Sequence, residues 1–189
     1  MFKEKLARAV SVVFDPLVEA PVLLVILFLG KSTAPLWLLA LVLLVGILPP
    51  VVFLKYGMRK GFISDWETTN RSERHGLNLV CLLAVILILA LVSFFGDHFL
   101  LKLSLILLVL MLLYTLITFF WKISGHMTAN TGLFLILNIF FDWRYWWLAV
   151  LVPLVGWARL VRNKHDIWQV IGGVALASLV VLCGVSWLF

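Results

Sequence analysis

Hydrophobic residues in this chain come in long blocks, without the alternation of a half-buried strand or the one-sided spacing of a surface helix. The blocks lie at 9–30, 34–54, 77–95 and 98–121, followed by two shorter ones at 126–141 and 143–158 joined by a tight turn, and a last at 166–189. A helix needs about 20 apolar residues to cross hydrocarbon. Lipid offers the backbone no hydrogen-bond partners, so each block is predicted to be helical. The pattern therefore predicts an all-α, polytopic membrane helix bundle of about seven apolar helices, six to seven of them spans, forming one integral-membrane domain over 1–189. The first block is the weakest span, because Asp15 and Glu19 interrupt it.

Composition sharpens this picture: with 64% hydrophobic residues, 13% charged and 9 Trp, too little polar surface remains to coat a water-soluble globule. The opening "MFKEKLARAV" is basic like the start of a signal peptide, but no small-residue cleavage site follows, so it is read as mature chain. Cys81 and Cys183 fall inside apolar blocks and are read as packing residues rather than as a disulfide or metal pair. The "WRYWW" cluster at 143–147 reads as an interfacial aromatic belt. Gly172, Gly173 and Ala177 read as a close helix-packing face. Thr128, Asn130, Thr131 and Asn138 turn the fifth block toward the bundle interior.

Net charge is +6, and its distribution says more than its sum. If the blocks alternate in direction, twelve of the fifteen Lys and Arg residues share one side; only Lys31, Lys102 and Arg144 fall on the other. The positive-inside rule then assigns the crowded side and the N-terminus to the cytoplasm, in a multi-pass protein of a prokaryotic cytoplasmic membrane. Arg59, Lys60, Arg162 and Lys164 are read as topology or headgroup charges, and His75 and His98 as interfacial.

The same alternation brings three polar seams to one face: "DWETTNRSERHG", "KISGHMTAN" and "ARLVRNKHDIWQ". Together they carry Arg71, Arg74, Lys122, Ser124, His126, Arg159 and His165, with unsatisfied N–H groups at the starts of two helices. Cations, helix N-termini and imidazoles in one place describe a phosphate site. Ser124 and Gly125 before an apolar helix supply a hydroxyl and an open backbone approach to phosphate oxygens. Arg74 and Arg159 are suited to neutralising a five-coordinate phosphorus. His165 is placed to attack phosphorus, and His126 to protonate the leaving alkoxide and then activate water. Gln169 falls one turn after His165, within reach of its ring, whereas the adjacent Asp166 would point about 100° around a helix.

"SGH" opening one helix, and Arg159 followed after five residues by His165 ("RLVRNKH") opening the next but one, resemble the second and third motifs of the type 2 phosphatidic acid phosphatase superfamily, integral-membrane lipid phosphatases related to haloperoxidases. "RSERH" is similar to a degraded first motif, and the likeness runs from about Phe62 to Gly173. The resemblance implies that His165 is the nucleophile and His126 the general acid. It also implies that Arg159, Arg74, Ser124 and Gly125 bind phosphate, with Arg71 or Lys60 in place of a missing Lys, and that no metal or other cofactor is needed; Lys122 joins the phosphate-binding set from its seam alone. The chain departs from the family pattern at Glu67, which stands where a Lys is usual, at His75 in place of Pro, and at Gln169 in place of Asp.

The function expected on these grounds is hydrolysis of a phosphomonoester or diphosphate on a lipid, phosphatidate-type or polyprenyl, through a phosphohistidine, with the site on the cytoplasmic face. Its partners are the phosphorylated lipid and membrane lipids, and no nucleic acid. Two other classes stand beside it: a catalytically weak phosphate-lipid-binding relative, favoured by Gln169 and the altered first seam, and a small transporter, favoured only by polar residues within the spans. Neither the lipid tail nor the oligomeric state is legible in the sequence.

Overall fold

The computed structural model describes residues 2–95 and 97–189. All regular structure among them is helical: α1 (Phe2–Val13), α2 (Pro16–Lys31), α3 (Leu36–Lys60), α4 (Arg71–Phe95), α5 (His98–Phe120), α6 (Gly125–Phe140), a 3-10 segment (Trp146–Val150) that runs into α7 (Leu151–Val161), and α8 (Ile167–Leu188). Four of these, α3, α4, α5 and α8, are long and apolar enough to cross a membrane, and α1 with α2 makes a fifth if the bent pair is one span.

That count corrects the six to seven spans read from the blocks. Two causes account for the difference. The first block is broken: α1 ends at Val13, and α2 leaves at 43° to it. Asp15 makes the break by capping, since its Oδ1 accepts from Leu17 N–H at 2.9 Å and its carbonyl accepts from Val18 and Glu19 N–H at 2.8 and 3.0 Å. Pro16 has no N–H to satisfy and disfavours helical backbone in the residue before it, so the chain both stops and restarts here. The fifth and sixth blocks give helices short of the length that crosses hydrocarbon: α6 has 16 residues, and Trp146–Val161 begins as a 3-10 turn.

The chain divides into two compact units. One comprises Phe28–Trp121, in which α4 packs between α3 and α5. Asp97 caps α5 here, accepting from Leu100 N–H at 2.7 Å, and also accepts from the Ser32 hydroxyl at 2.6 Å and Thr33 N–H at 3.1 Å, which ties the end of α2 to the start of α5. The other unit comprises Met1–Leu27 and Lys122–Phe189, where α6 lies along α8 and α1 lies along α7. Its core gathers Ala7, Val10, Met127, Val155, Ala158 and Val170.

Outward-facing positions are apolar along much of the chain, with Phe120 84% and Trp187 91% exposed. An aqueous surface of this kind would associate, whereas hydrocarbon solvates it at no cost.

Candidate functional site

The unit formed by Met1–Leu27 and Lys122–Phe189 brings two of the three seams together. Ser124 N–H donates to the carbonyl of Gln169 at 3.1 Å, so the segment before α6 is joined main chain to main chain with the first turn of α8. Close packing permits this. A methyl group on Gly173 would lie 2.8 Å from Ser124 O, 2.9 Å from Met127 Cβ and 3.1 Å from Thr128 N, so only a glycine lets the two helices meet there.

Ser124, fully buried, is the N-cap of α6: its hydroxyl faces Met127 N–H at 3.4 Å, and its carbonyl accepts from Thr128 N–H and the Thr128 hydroxyl, each at 3.0 Å. Gly125 opens the helix, and Lys122 lies half-buried just before the cap. Thr128, Asn130, Thr131 and Asn138 are all buried.

On the other side of the joint, the spacing between Arg159 and His165 is produced by a helix-ending motif. Asn163 sits in the left-handed region at φ 51°, its N–H donates to Leu160 O at 3.0 Å, and Lys164 N–H donates to Arg159 O at 3.1 Å. These two bonds form the Schellman pattern, with an Asn where Gly is commonest. Arg159 occupies the last turn of α7, and at 1% exposure it heads the fully buried side chains by volume. Taking a guanidinium out of water costs several kcal/mol before its interactions are counted, so a buried Arg beside a helix end is a feature to explain.

His165, 7% exposed, follows the turn directly. It lies outside α8, whose N-cap is Asp166 with extended backbone at φ −86°, ψ 172°. The helical rule that would turn Asp166 about 100° away therefore does not apply. Asp166 Oδ1 accepts from Gln169 N–H at 2.9 Å, and Oδ2 from the Gln169 side-chain Nε2 at 2.8 Å. The other end of that amide, Gln169 Oε1, lies 2.8 Å from His165 Nδ1.

His126, also 7% exposed, stands in the first turn of α6. Its Nε2 lies 3.3 Å from Ser11 O and 3.8 Å from Asp15 Oδ2. One turn on, Asn130 Nδ2 donates to His126 O at 2.9 Å and to Phe14 O at 3.2 Å. The break between α1 and α2 is thus held against α6 by an imidazole and an amide. The sequence leaves Asp15 between a cap and a polar groove; the signal that decides for the cap is an Asp-Pro pair ahead of an apolar run, with the proline in the first turn. Asn130 also lines an apolar groove of about 310 Å³, together with Val18, Glu19, Val22, Leu133 and Leu137.

The two remaining expected ligands, Arg71 and Arg74, belong to the unit Phe28–Trp121 and have structural partners within it. Arg71 Nη1 donates to Phe119 O at 3.0 Å, a cation on the last turn of α5. Arg74 is 4% exposed, and its Nε donates to Thr68 O at 2.8 Å, where Thr68 takes φ 45°. The seam before α4 is otherwise tied to the helix by Glu73, which accepts from Ser64 N–H and hydroxyl at 2.9 and 3.0 Å and from Asn70 Nδ2 at 2.6 Å.

No protein-family model, no curated protein and no solved structure matches the chain.

Proposed function

We propose that this protein is an integral-membrane lipid phosphatase that cleaves a phosphomonoester or diphosphate from a lipid by covalent histidine catalysis. One observation carries the reading. The main-chain bond from Ser124 to Gln169 joins the "SGH" helix start to the segment bearing His165, and Gln169 in turn contacts the His165 ring. Two seams separated by 27 residues of sequence present an imidazole, a buried guanidinium and a helix start in one unit. Cationic side chains, imidazoles and helix starts are groups that phosphate recognition draws on.

In the proposed reaction, His165 Nε2 attacks phosphorus. A P–N bond forms, the bond from phosphorus to the lipid oxygen breaks, and His126 gives that oxygen a proton. Water then attacks the phosphohistidine, His126 takes its proton, and orthophosphate leaves with His165 restored. Arg159, Ser124, Gly125 and Lys122 hold the phosphoryl oxygens. The groove beyond Asn130, apolar but for Asn130 and Glu19, supports a substrate whose tail stays in hydrocarbon.

A phosphate-lipid binder without turnover is the competing reading. Its support is the engagement of His126 Nε2 with Ser11 O, since a general acid must present its proton to the substrate. Phosphate release in detergent from phosphatidate, phosphatidylglycerophosphate and polyprenyl phosphates and diphosphates separates the two. The purified protein is expected to hydrolyse at least one of these. His165→Ala should lower kcat by about 10,000-fold or more, and His126→Ala by about 100- to 10,000-fold. Equal inertness of wild type and both variants on every lipid would reject the enzyme.

A further inference from the structure

We infer that Asp166, acting through the side-chain amide of Gln169, fixes the tautomer of His165 and thereby makes Nε2 the nitrogen that carries the lone pair. Only the use of that lone pair to attack phosphorus rests on the phosphatase reading; the tautomer itself follows from the hydrogen-bond chemistry of three adjacent groups.

A carboxylate only accepts. The Gln169 amide has one end that donates and one that accepts, and its donor end faces Asp166 Oδ2 at 2.8 Å. Turned over, the amide would set its oxygen against a carboxylate oxygen at that distance, so Asp166 dictates the orientation. The accepting end, Oε1, is then the atom 2.8 Å from His165 Nδ1, and it can be satisfied only by a proton on Nδ1. Nε2 is consequently the unprotonated nitrogen of the neutral ring. An unconstrained histidine favours the opposite form, with the proton on Nε2, so the chain of contacts works against the ring's own preference.

The arrangement also explains how a glutamine serves where a carboxylate would act directly. Gln169 carries no charge, but it is anchored to one: Asp166 fixes both the Gln169 backbone N–H, through Oδ1 at 2.9 Å, and its side chain, through Oδ2. Because Asp166 is the N-cap of α8, its carboxylate is held at the start of the helix by the same bonds that begin the helix. Asp166 is thus a positioning residue, one group removed from the ring.

The test reads the ring directly, by two-bond nitrogen–proton correlation spectra of the full-length protein in detergent micelles, with His165→Ala identifying the His165 signals. Wild type is expected to show the proton on Nδ1. Asp166→Asn keeps a good N-cap but offers the amide a donor as well as an acceptor, so Gln169 can turn over and the Nε2-protonated form should appear. Adding Gln169→Glu to Asp166→Asn puts an acceptor-only group against Nδ1 and should restore the wild-type spectrum. A wild-type ring protonated on Nε2, or an Asp166→Asn spectrum identical to wild type, overturns the inference. On a lipid that wild type hydrolyses, Asp166→Asn should lower kcat at least about tenfold with a smaller change in KM, and the double variant should recover most of it. If wild type hydrolyses no lipid, the phosphatase reading falls while the spectra still decide the tautomer. If wild type is active and the spectra do not respond to Asp166, the inference falls and the phosphatase reading stands.

Discussion

Asn163 shows how one backbone angle can set a chemical spacing. Five residues separate Arg159 from His165 because α7 must end, reverse through φ 51° at Asn163 and deliver His165 ahead of the next cap. A β-branched side chain at that angle meets its own carbonyl. Asn163→Val is therefore expected to cost about 1–2 kcal/mol, seen as a lower midpoint in thermal unfolding, with a larger fall in phosphate release than in lipid binding. An unchanged midpoint would show that the turn is not under this constraint. Much at this scale was legible: the helix start at "SGH" and the Arg and His spacing can be read from the chain, and Gln169 does reach the His165 ring, although His165 lies before α8 and not one turn along its face. Asp166 was misplaced because a helical rotation was applied to a residue that lies just before the helix. Ser11 O and Phe14 O, the partners of His126 and Asn130, could not be read at all, since backbone carbonyls carry no sequence signature and lie more than a hundred residues away.

Among the elements, α6 and α8 carry the candidate site between them, and Gly173 governs how near they come. With Ser124 O, Met127 Cβ and Thr128 N all within 3.1 Å of where a methyl would sit, Gly173→Ala must push back main chain as well as side chain. A cost of about 1–3 kcal/mol is expected, together with loss of the bond from Ser124 to Gln169 and a drop in activity out of proportion to the drop in stability. Measuring both on the same preparation tests this; parallel, small losses would mean that the contact has slack. Element boundaries were readable where apolar blocks end in caps, as at Ser124 and Asp97. They were misread where a block hides a break: Asp15 and Pro16 look like blemishes in a span, and together they divide it. The short α6 and the 3-10 start of α7 fell below what block length can resolve.

For the molecule as a whole, the sequence conveys its solvent better than its count of crossings. Long blocks and an apolar exterior agree with burial in a bilayer, and the four to five long helices support that much. Sidedness is open to direct measurement. Ser72 is exposed in the first turn of α4, so Ser72→Cys, in a background with Cys81 and Cys183 replaced by Ala, should react with an impermeant maleimide only after cells are opened. Ready reaction in intact cells would invert the topology. The main-chain bond between Ser124 and Gln169 has a broader implication. It is made by peptide groups alone, and no side-chain exchange at either position removes its donor or acceptor, proline at 124 excepted. Under the proposed phosphatase reading, side chains that meet a headgroup can then be exchanged while this backbone tie between the two segments remains, so specificity is free to change before chemistry does.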